Sequence, residues 1–430
     1  MKKIYDIIGI GIGPFNLGLA ALAYMIPELS CIFFDQSECF EWHTGLLLDN
    51  ARLQVPYYAD LVTLADPQSP FTYLAFLKAK QRLFRFAIHE QYFPTRKEYN
   101  QYCKWVVGHL PNLHFSKKCQ SIQYDQTANV YTVQMLNRNN NELETHCAKQ
   151  ICLGIGTVPA IPSFAADLNH PNIIHSSQYL PNKKKLLDQE SVTIVGSGQS
   201  AAEIFYDLLP YREQFGNNLH WFTRSPRYYP MDYSKFALEM TSPDYIDHFH
   251  SLEQVEKDKI LPSQHSLYKG INVDLIKEIY DTLYLQDLDQ PIGAHQLHPN
   301  CELKAVNVFK ETGLHLQFHH HELKKDFEHM TGALLLATGY KPSLPQFIEP
   351  IRERIQWDSN HRYQANRNYS IDSNNSIFIQ NAEINSHGFN AADLGMGPYR
   401  NAIILNTILG YERFPMEKNI AFQQFGLPKK

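Results

Sequence analysis

The sequence lacks the features of a membrane protein or a nucleic-acid binder. No apolar stretch reaches the ~20 residues that a membrane-spanning helix needs. Met1-Lys2-Lys3 lead directly into the first predicted strand, so we expect no cleavable signal segment. A formal net charge of −5 provides no broad basic surface for nucleic acid. We therefore expect a cytoplasmic protein with no membrane span and no nucleic-acid partner.

Cysteine is sparse and unevenly spaced. The seven cysteines include no C-x-x-C pair, and the closest pairs are Cys147 with Cys152 and Cys31 with Cys39. This spacing excludes the dithiol chemistry of disulfide oxidoreductases and indicates a reducing compartment.

The sequence also lacks a recognisable metal-binding pattern. The histidines at 319–321 and at 248 and 250 have no carboxylate or cysteine at ligand spacing beside them. We predict no metal site and interpret these histidines as solvated loop or strand residues.

Two segments have the pattern of a dinucleotide-binding unit, in which an apolar strand leads through a glycine turn into a helix. The first reads Gly11-x-Gly13-Pro14-x-Asn16, so asparagine replaces the third glycine. Asp35 closes the next apolar run about 20 residues on, where it can accept the ribose hydroxyls. A buried strand–turn–helix without a ligand is the alternative. The flanking strand and the acid favour a nucleotide site, which we assign to FAD.

The second unit reads Gly196-x-Gly198-Gln199-Ser200 and is followed by a strand that ends at Arg224. An acid at that place would repel a 2′-phosphate, whereas arginine offers it a donor fork. We therefore predict NADPH here, the alternative for Arg224 being an ordinary surface arginine. Two nucleotide sites in one chain indicate electron transfer from one cofactor to the other.

These units predict an α/β protein with two Rossmann-like dinucleotide-binding domains and a smaller, mostly helical substrate region. We place the FAD-binding domain at 1–187 and 331–430, and the NADPH-binding domain at 188–225 and 301–330. The helical substrate region is predicted at 226–300, where apolar residues recur with helical period.

Further motifs occur from end to end of the chain. They are Phe40-Glu41-Trp42-His43, Leu53-Gln54-Val55, Asp60-Leu61-Val62, Asp66-Pro67, Ser69-Pro70-Phe71, Pro94-Thr95-Arg96, Ala337-Thr338-Gly339-Tyr340, Asn381-Ala382-Glu383 and His387-Gly388. With the two glycine turns, they resemble the N-hydroxylating flavoprotein monooxygenases of siderophore biosynthesis, the lysine and ornithine N-monooxygenase family. That family usually has asparagine at the position of Asn16. The Phe-x-Gly-x-x-x-His motif of related monooxygenases is absent, because Phe164 and His175 are wrongly spaced.

The resemblance implies that NADPH reduces FAD, that O₂ forms a C4a-hydroperoxyflavin, and that a neutral primary amine attacks its distal oxygen. It also implies that NADP⁺ remains bound to shield this intermediate from water, and that the protein is a homo-oligomer, by resemblance a tetramer. By resemblance, Trp42, His43, Gln54 and Arg96 lie near the flavin and nicotinamide, with His43, Gln54 and Arg96 as catalytic candidates, and Thr338-Gly339-Tyr340 contact a cofactor. Alternatives remain open: Trp42 as core packing, Arg96 as an ion pair, and His43 and Gln54 as polar loop residues.

The segment after Gln54 departs from the amino-acid hydroxylases. Where the family has a Phe-Leu-Lys-Asp-Leu pattern, whose lysine pairs with the substrate carboxylate, Ala59 replaces the lysine. Gly395 stands where a serine would contact the same carboxylate. Both replacements remove a contact to the substrate carboxylate, so we predict a substrate that has no carboxylate.

We accordingly predict putrescine, cadaverine or histamine as the substrate. Asp393 is a candidate for a distal ammonium and Asn272 for an imidazole. The candidate substrate residues are Tyr57, Ala59, Lys269, Asn272, Asp393, Leu394, Gly395 and Tyr399. An ornithine or lysine N-monooxygenase, with Lys269 as a re-sited carboxylate anchor, is the alternative. From other classes, an uncoupled NADPH oxidase or flavin reductase and a non-catalytic flavoprotein remain.

Overall fold

A computed structural model describes residues 3–168, 170–216, 218–289, 296–309 and 313–428. Within them, two mainly parallel sheets carry the two glycine turns, and helices cover both sheets. None of the described helices has the length and apolar composition to cross a membrane.

The first sheet has the strand order β3-β2-β1-β6-β5-β4, and β17 pairs with β6. Its strands are β1 (Ile4–Ile10), β2 (Cys31–Phe34), β3 (Leu113–His114), β4 (Lys117–Asp125), β5 (Val130–Asn137), β6 (Leu143–Leu153) and β17 (Ile377–Ile379). β1, β2, β3, β6 and β17 pair in parallel, whereas β4 and β5 join as an antiparallel hairpin. The apolar segments before Gly11 and Asp35 are thus neighbouring parallel strands, as the first dinucleotide pattern requires.

The second sheet is parallel throughout, with the order β11-β10-β9-β15-β8. Its strands are β8 (Ile173–His175), β9 (Val192–Val195), β10 (Leu219–Phe222), β11 (Gln296–His298) and β15 (Ala333–Leu336). β8 and β15 fall in ranges that the sequence assigned to the first domain. The difference has a physical reason, because the fully buried β9 needs a hydrogen-bonding partner at each edge, and β10 and β15 supply them.

Two smaller sheets complete the strands. β12 (Cys301–Phe309), β13 (Gly313–His320) and β14 (Lys325–Thr331) form an antiparallel sheet, and β7 (Thr157–Pro159) pairs with β16 (Tyr340–Pro342). The β7–β16 pair brings the segments that leave the first and second sheets side by side. Together with the two parallel sheets, this arrangement confirms the predicted α/β class.

The helices connect and cover these sheets. They are α1 (Pro14–Tyr24), α2 (Tyr73–Ala79), α3 (Leu83–His89), α4 (Arg96–Val107), α5 (Ser163–Ala166), α6 (Tyr179–Leu187), α7 (Gln199–Leu208), α8 (Lys235–Leu238), α9 (Pro243–Ser251), α10 (Gln254–Ser263), α11 (His265–Tyr268), α12 (Val273–Asp289), α13 (Ile384–His387) and α14 (Met396–Leu409). Helices α8 to α12 lie in the region predicted to be helical. α1 packs against α14, the last long helix of the described chain.

Three histidines form a cluster beside the second sheet. The His220 Nδ1 atom lies 3.5 Å from His298 Nε2, and His329 Nε2 lies 2.9 Å from the Thr193 hydroxyl. The Phe222 ring stacks on His298. Burial, and then the neighbouring histidines, lower the pKa of His220 to about 3 and that of His329 to about 4. The cluster is therefore neutral at pH 7.

This cluster predicts a loss of stability in mild acid. Below the unfolded histidine pKa of about 6.5, the unfolded chain binds protons that the folded cluster rejects, so the free energy of unfolding falls as the pH falls. We expect His220→Phe to reduce this fall by about 1 kcal/mol between pH 7.5 and pH 5, measured by denaturant unfolding. His89→Gln, at an exposed histidine, serves as the control. Equal pH slopes in wild type and His220→Phe would contradict the prediction.

Candidate functional site

The first glycine turn lies where β1 meets α1. Gly11 has a φ of +89°, and a Cβ there would lie 2.3 Å from the Gly154 carbonyl oxygen, so no other residue fits. Gly13 caps α1 without a side-chain hydrogen bond, and a Cβ at Gly13 would have nothing within 4 Å. Pro14 occupies the first turn of the helix, where it costs no hydrogen bond. The turn thus presents the positive helix end to open space.

Asn16, in place of the third glycine, ties the turn to the strands behind it. Its side chain is fully buried, and Nδ2 donates to the Gly11 carbonyl at 2.8 Å. Oδ1 accepts from Gln380 Nε2 at 2.6 Å and from the Cys152 thiol at 3.3 Å. The asparagine therefore contacts protein on all sides and holds the turn that faces the ligand.

Asp35 reaches the same turn from the end of β2. Its carboxylate accepts from the Ile12 N–H at 2.7 Å and from the Ser37 N–H at 2.8 Å. A carboxylate has about four acceptor positions, so these two bonds leave room for a ribose hydroxyl.

The second turn begins α7 in the same way. Gly196 donates its N–H to Phe222 at the end of β10, and its carbonyl accepts from the Trp221 indole at 2.7 Å. Gly198 caps α7 without a side-chain bond, and a Cβ there would lie 3.1 Å from the Lys269 carbonyl oxygen. Ser200 follows in the first turn of α7 and is half-buried.

Arg224 is exposed just beyond β10, and its contact with a 2′-phosphate stays a prediction. Burial, and then the charge of Arg224, lower the pKa of Lys269. Lys269 is thus an electrostatic neighbour of Arg224, next to the second glycine turn. Its alternative interpretation as a re-sited carboxylate anchor stays a prediction.

Trp42 and His43 lie in the segment between β2 and α2. The two rings meet edge to face with 4.4 Å between centroids, and the Trp42 N–H donates to Asn100 at 3.0 Å. His43 has a φ of +54° and an exposed side chain. Desolvation by the surrounding protein atoms, and then the charge of Arg96, lower the pKa of His43. The ring is therefore neutral at pH 7 and is no ready proton donor.

The segment 338–340 enters the same cleft from the second sheet. The Thr338 hydroxyl donates to the Ala160 carbonyl at 2.8 Å, and Gly339 has a φ of +81°, where an added Cβ would meet nothing within 4 Å. The Tyr340 ring lies 6.3 Å from His43 and 5.3 Å from His175. The His175 Nε2 atom is 3.1 Å from the Gly339 carbonyl. Residues far apart in sequence thus line one wall.

A buried ion pair joins the two nucleotide units. The Arg96 guanidinium, at the start of α4, donates two bonds of 2.9 Å to the Glu203 carboxylate on α7. Arg96 also donates to the Leu46 carbonyl at 2.8 Å. The side chains are 11% and 4% exposed, so the pair is shielded from water. Its interpretation as an ion pair is confirmed, and it crosses between the units.

Gln199 extends this pair towards Gln54. Gln199 Nε2 donates to Glu203 at 2.9 Å, and its Oε1 accepts from the Asn272 N–H at 2.8 Å and from Gln54 Nε2 at 3.4 Å. Gln54 Nε2 also donates to the Gly270 carbonyl at 3.1 Å. The fold thus places Gln54 beside the second glycine turn, in one network with Arg96.

Asp60 fixes the loop that carries Tyr57 and Ala59. Its buried carboxylate accepts from the N–H groups of Val62, Thr63 and Tyr73 at 2.9, 2.7 and 2.6 Å. The Tyr57 ring meets a wall of aromatic rings at centroid distances of 5.5–6.5 Å, which comprises Tyr58, Tyr73, Phe86 and Tyr92. Asp60 thus ties this loop to the start of α2, where Tyr73 lies.

The two positions that depart from the family pattern lie against each other. A Cβ at Gly395 would be 3.3 Å from the Ala59 Cβ and 3.0 Å from Asp393 Oδ1. Asp393 is half-buried, and its Oδ1 accepts from the Gly395 N–H at 2.7 Å. Enclosure by protein raises the pKa of Asp393. One small region therefore holds a carboxylate where the family pattern would place a lysine and a serine.

The remaining candidates have partners within the chain. The Tyr399 hydroxyl accepts from Arg367 at 2.6 Å, and Tyr399 is only 7% exposed. Asn272 Oδ1 accepts from the Asp274 N–H at 2.8 Å at the start of α12. Leu394 packs on the core beneath α1 and α14. Their contact with a substrate stays a prediction.

Sequence reasoning missed Glu203, His175 and Tyr233. Glu203 follows Gln199 by four residues, a spacing that places both on one face of a helix and could have indicated a shared role. For His175, the sequence offered only its distance from Phe164, and that distance does not match the Phe-x-Gly-x-x-x-His motif. Tyr233, whose hydroxyl donates to the Gln54 carbonyl at 2.7 Å, had no signal in the sequence.

Comparisons with known proteins bear on this site. A family model described as L-lysine 6-monooxygenase/L-ornithine 5-monooxygenase matches residues 3–342. The chain belongs to this family. A putrescine N-hydroxylase of Acinetobacter baumannii is 47% identical over 425 residues, covering 99% of this chain and 94% of that protein. A putrescine N-hydroxylase of Shewanella oneidensis is 46% identical over 424 residues, covering 99% and 84%.

A solved structure is similar over the whole chain. FAD-bound DfoA of Erwinia amylovora, the desferrioxamine biosynthetic pathway cadaverine monooxygenase, has a TM-score of 0.97 and 45% identity, and 100% of both chains is covered. The chain is thus a flavin-dependent N-hydroxylating monooxygenase with FAD and NADPH as cofactors, which confirms the predicted family, enzyme class and cofactors.

The role of Asn16 can be tested by restoring glycine. We expect Asn16→Gly to lower the free energy of unfolding by about 1–3 kcal/mol, because Gly11 and Gln380 each lose a buried partner. The loosened turn should also weaken FAD binding by about 10-fold, measured by titrating the FAD-free protein. Asn140→Gly, at an exposed turn, is the control. Unchanged FAD affinity in Asn16→Gly would contradict this role.

Proposed function

We propose that the enzyme N-hydroxylates a linear aliphatic diamine, putrescine or cadaverine, with NADPH and O₂. The observation that carries the proposal is the contact of Ala59 with Gly395 beside the Asp393 carboxylate. This region lacks the lysine and serine that the family pattern assigns to a substrate carboxylate, and it offers a negative charge. That charge suits a second ammonium group.

The similar proteins support the same class of substrate. Two relatives are named putrescine N-hydroxylase, and the similar solved structure is that of a cadaverine monooxygenase of the desferrioxamine pathway. We propose that this chain likewise supplies a hydroxylated amine to siderophore biosynthesis. Histamine fits less well, because Asn272 Oδ1 is already engaged at the start of α12. A homo-oligomer and a cytoplasmic location stay predictions.

We further propose that FAD binds at the first turn and NADPH at the second. At Gly13, Gly156 and Gly339, an added Cβ would meet nothing within 4 Å, so this cleft has room for a ligand along the backbone. Asp35 and Thr338 would border FAD, whereas Ser200 and Arg224 would bind NADPH. Trp42 and Tyr340 would flank the flavin ring.

The bound flavin supplies an activated oxygen, and the chain's own residues bind, orient and exclude water. The Gln54 amide is held through Nε2 by Gly270 and Gln199, and its Oε1 would act as an acceptor towards the cofactors. Arg96 is neutralised by Glu203, and His43 is uncharged. The reacting end of the site therefore carries little net charge, which favours the neutral amine that the reaction needs.

Asp393→Asn tests the proposed ammonium contact. We expect kcat/KM for putrescine or cadaverine to fall about 10- to 100-fold, because a charge-assisted hydrogen bond is lost. Hydroxylamine product should be measured directly. A monoamine of equal chain length lacks the distal ammonium, so its kcat/KM should change little. An equal loss for monoamine and diamine would refute the contact.

Ala59→Lys with Gly395→Ser tests the lost carboxylate contacts. We expect product formation to shift from diamines towards ornithine or lysine, since the new lysine both pairs with a carboxylate and neutralises Asp393. The assay is a panel of putrescine, cadaverine, histamine, ornithine and lysine with wild type and variant. Wild-type activity on ornithine or lysine equal to that on the diamines would overturn the proposal. Hydrogen peroxide without hydroxylamine from every amine would favour the uncoupled oxidase.

A further inference from the structure

Glu203 lies between the two proposed cofactor sites. The proposed reaction gives it no role beyond neutralising Arg96. Its carboxylate receives both bonds of the Arg96 guanidinium at 2.9 Å. Glu203 is 4% exposed, so water cannot replace Arg96 as its partner. Arg96 belongs to the first unit and Glu203 to the second, so this bond fixes one unit against the other.

The same carboxylate orients Gln199 at the second glycine turn. Glu203 accepts only, so the Gln199 Nε2 group must point to it, at 2.9 Å. The Gln199 Oε1 atom must then point the other way, towards the Asn272 N–H at 2.8 Å and Gln54 Nε2 at 3.4 Å. The Glu203 carboxylate thus determines that the Gln199 amide presents its oxygen, rather than its NH₂ group, to Gln54.

Arg96 also lies near the rings of His43 and Tyr340, which together we call the proposed flavin wall. Desolvation, and then the charge of Arg96, lower the pKa of His43, whereas burial raises the pKa of Tyr340 and the charge of Arg96 opposes that rise. An unpaired Arg96 would therefore place a net positive charge beside these rings. With Glu203 in place, the wall receives a neutral, fixed pair.

We propose that Glu203 is a positioning residue that couples the NADPH turn to the flavin wall through Gln199 and Arg96. The inference rests on the proposed cofactor placement. Loss of this coupling should misplace the hydride donor relative to the flavin and loosen the retained NADP⁺. Both effects arise before any amine reacts, so they do not depend on the identity of the substrate.

The test compares Glu203→Gln, Gln199→Ala and the double variant as purified FAD-loaded enzymes. We expect Glu203→Gln to slow anaerobic flavin reduction at saturating NADPH by about 10- to 100-fold, the range that a small misplacement of reacting groups causes. NADP⁺ affinity, measured by equilibrium titration, should fall, and the share of NADPH that ends as hydroxylamine should drop. Gln199→Ala should act in the same direction, and the double variant should be no worse than Glu203→Gln.

Glu98→Gln is the matched control. Glu98 lies two residues from Arg96 on α4 and pairs with Arg82 at 2.7 Å, within the first unit. The variant Glu98→Gln should leave the rate of flavin reduction and the NADP⁺ affinity unchanged. If Glu203→Gln fails to fold, the inference is judged on the flavin reduction rate and NADP⁺ affinity of Gln199→Ala, because that variant leaves the buried ion pair intact.

Two results would overturn the inference. One is normal reduction and NADP⁺ affinity in folded, FAD-loaded Glu203→Gln, which would limit Glu203 to stability. The other is full additivity of the two single variants, which would show that they act independently. A wrong substrate proposal would appear only in the amine panel, so the two failures are distinguishable.

Discussion

The buried Arg96–Glu203 pair is the interaction on which the arrangement of the site depends. Removing one partner from such a pair typically costs about 3–5 kcal/mol, because an unpaired charge stays buried. The two partners lie on different nucleotide units, so neither unit can satisfy its own charge. The units must therefore dock in one orientation. That orientation also brings Gln54, Gln199 and Gly270 together, so this hydrogen-bonded group is a consequence of docking.

In the first glycine turn, the backbone approach and the packing behind the turn depend on different residues. Glycine is required where the backbone approaches Gly154, whereas the third position of the pattern only needs a residue that packs behind the turn. Asn16 meets that need and adds three partners, in Gly11, Gln380 and the Cys152 thiol. A departure from the glycine pattern thus strengthens the turn without entering the ligand side. The motif constrains backbone approach rather than residue identity at every position.

Features encoded locally could be predicted from the sequence, and those formed by distant residues could not. Each strand–turn–helix unit was predictable because its apolar run, glycines and helix start are contiguous. The membership of β8 and β15 in the second sheet was not, since pairing with β9 joins residues far apart in the chain. Glu203 was missed for the same reason, as its partner Arg96 lies 107 residues away. The Ala59 and Gly395 positions were found through family resemblance, and their mutual contact needed the structure.

That contact explains why the two departures belong together under the proposed function. A lysine at 59 would lie in the region that holds Asp393 and would offset its charge, so the region would no longer favour an ammonium group over a carboxylate. A serine at 395 would crowd Asp393 Oδ1, which already accepts from the Gly395 N–H. With alanine and glycine, one oxygen of Asp393 is held by the backbone and the other can meet a cation. Under the proposed function, selectivity for a diamine then follows from the sign of one charged region, while the network of Gln54, Gln199, Glu203 and Arg96 is left intact.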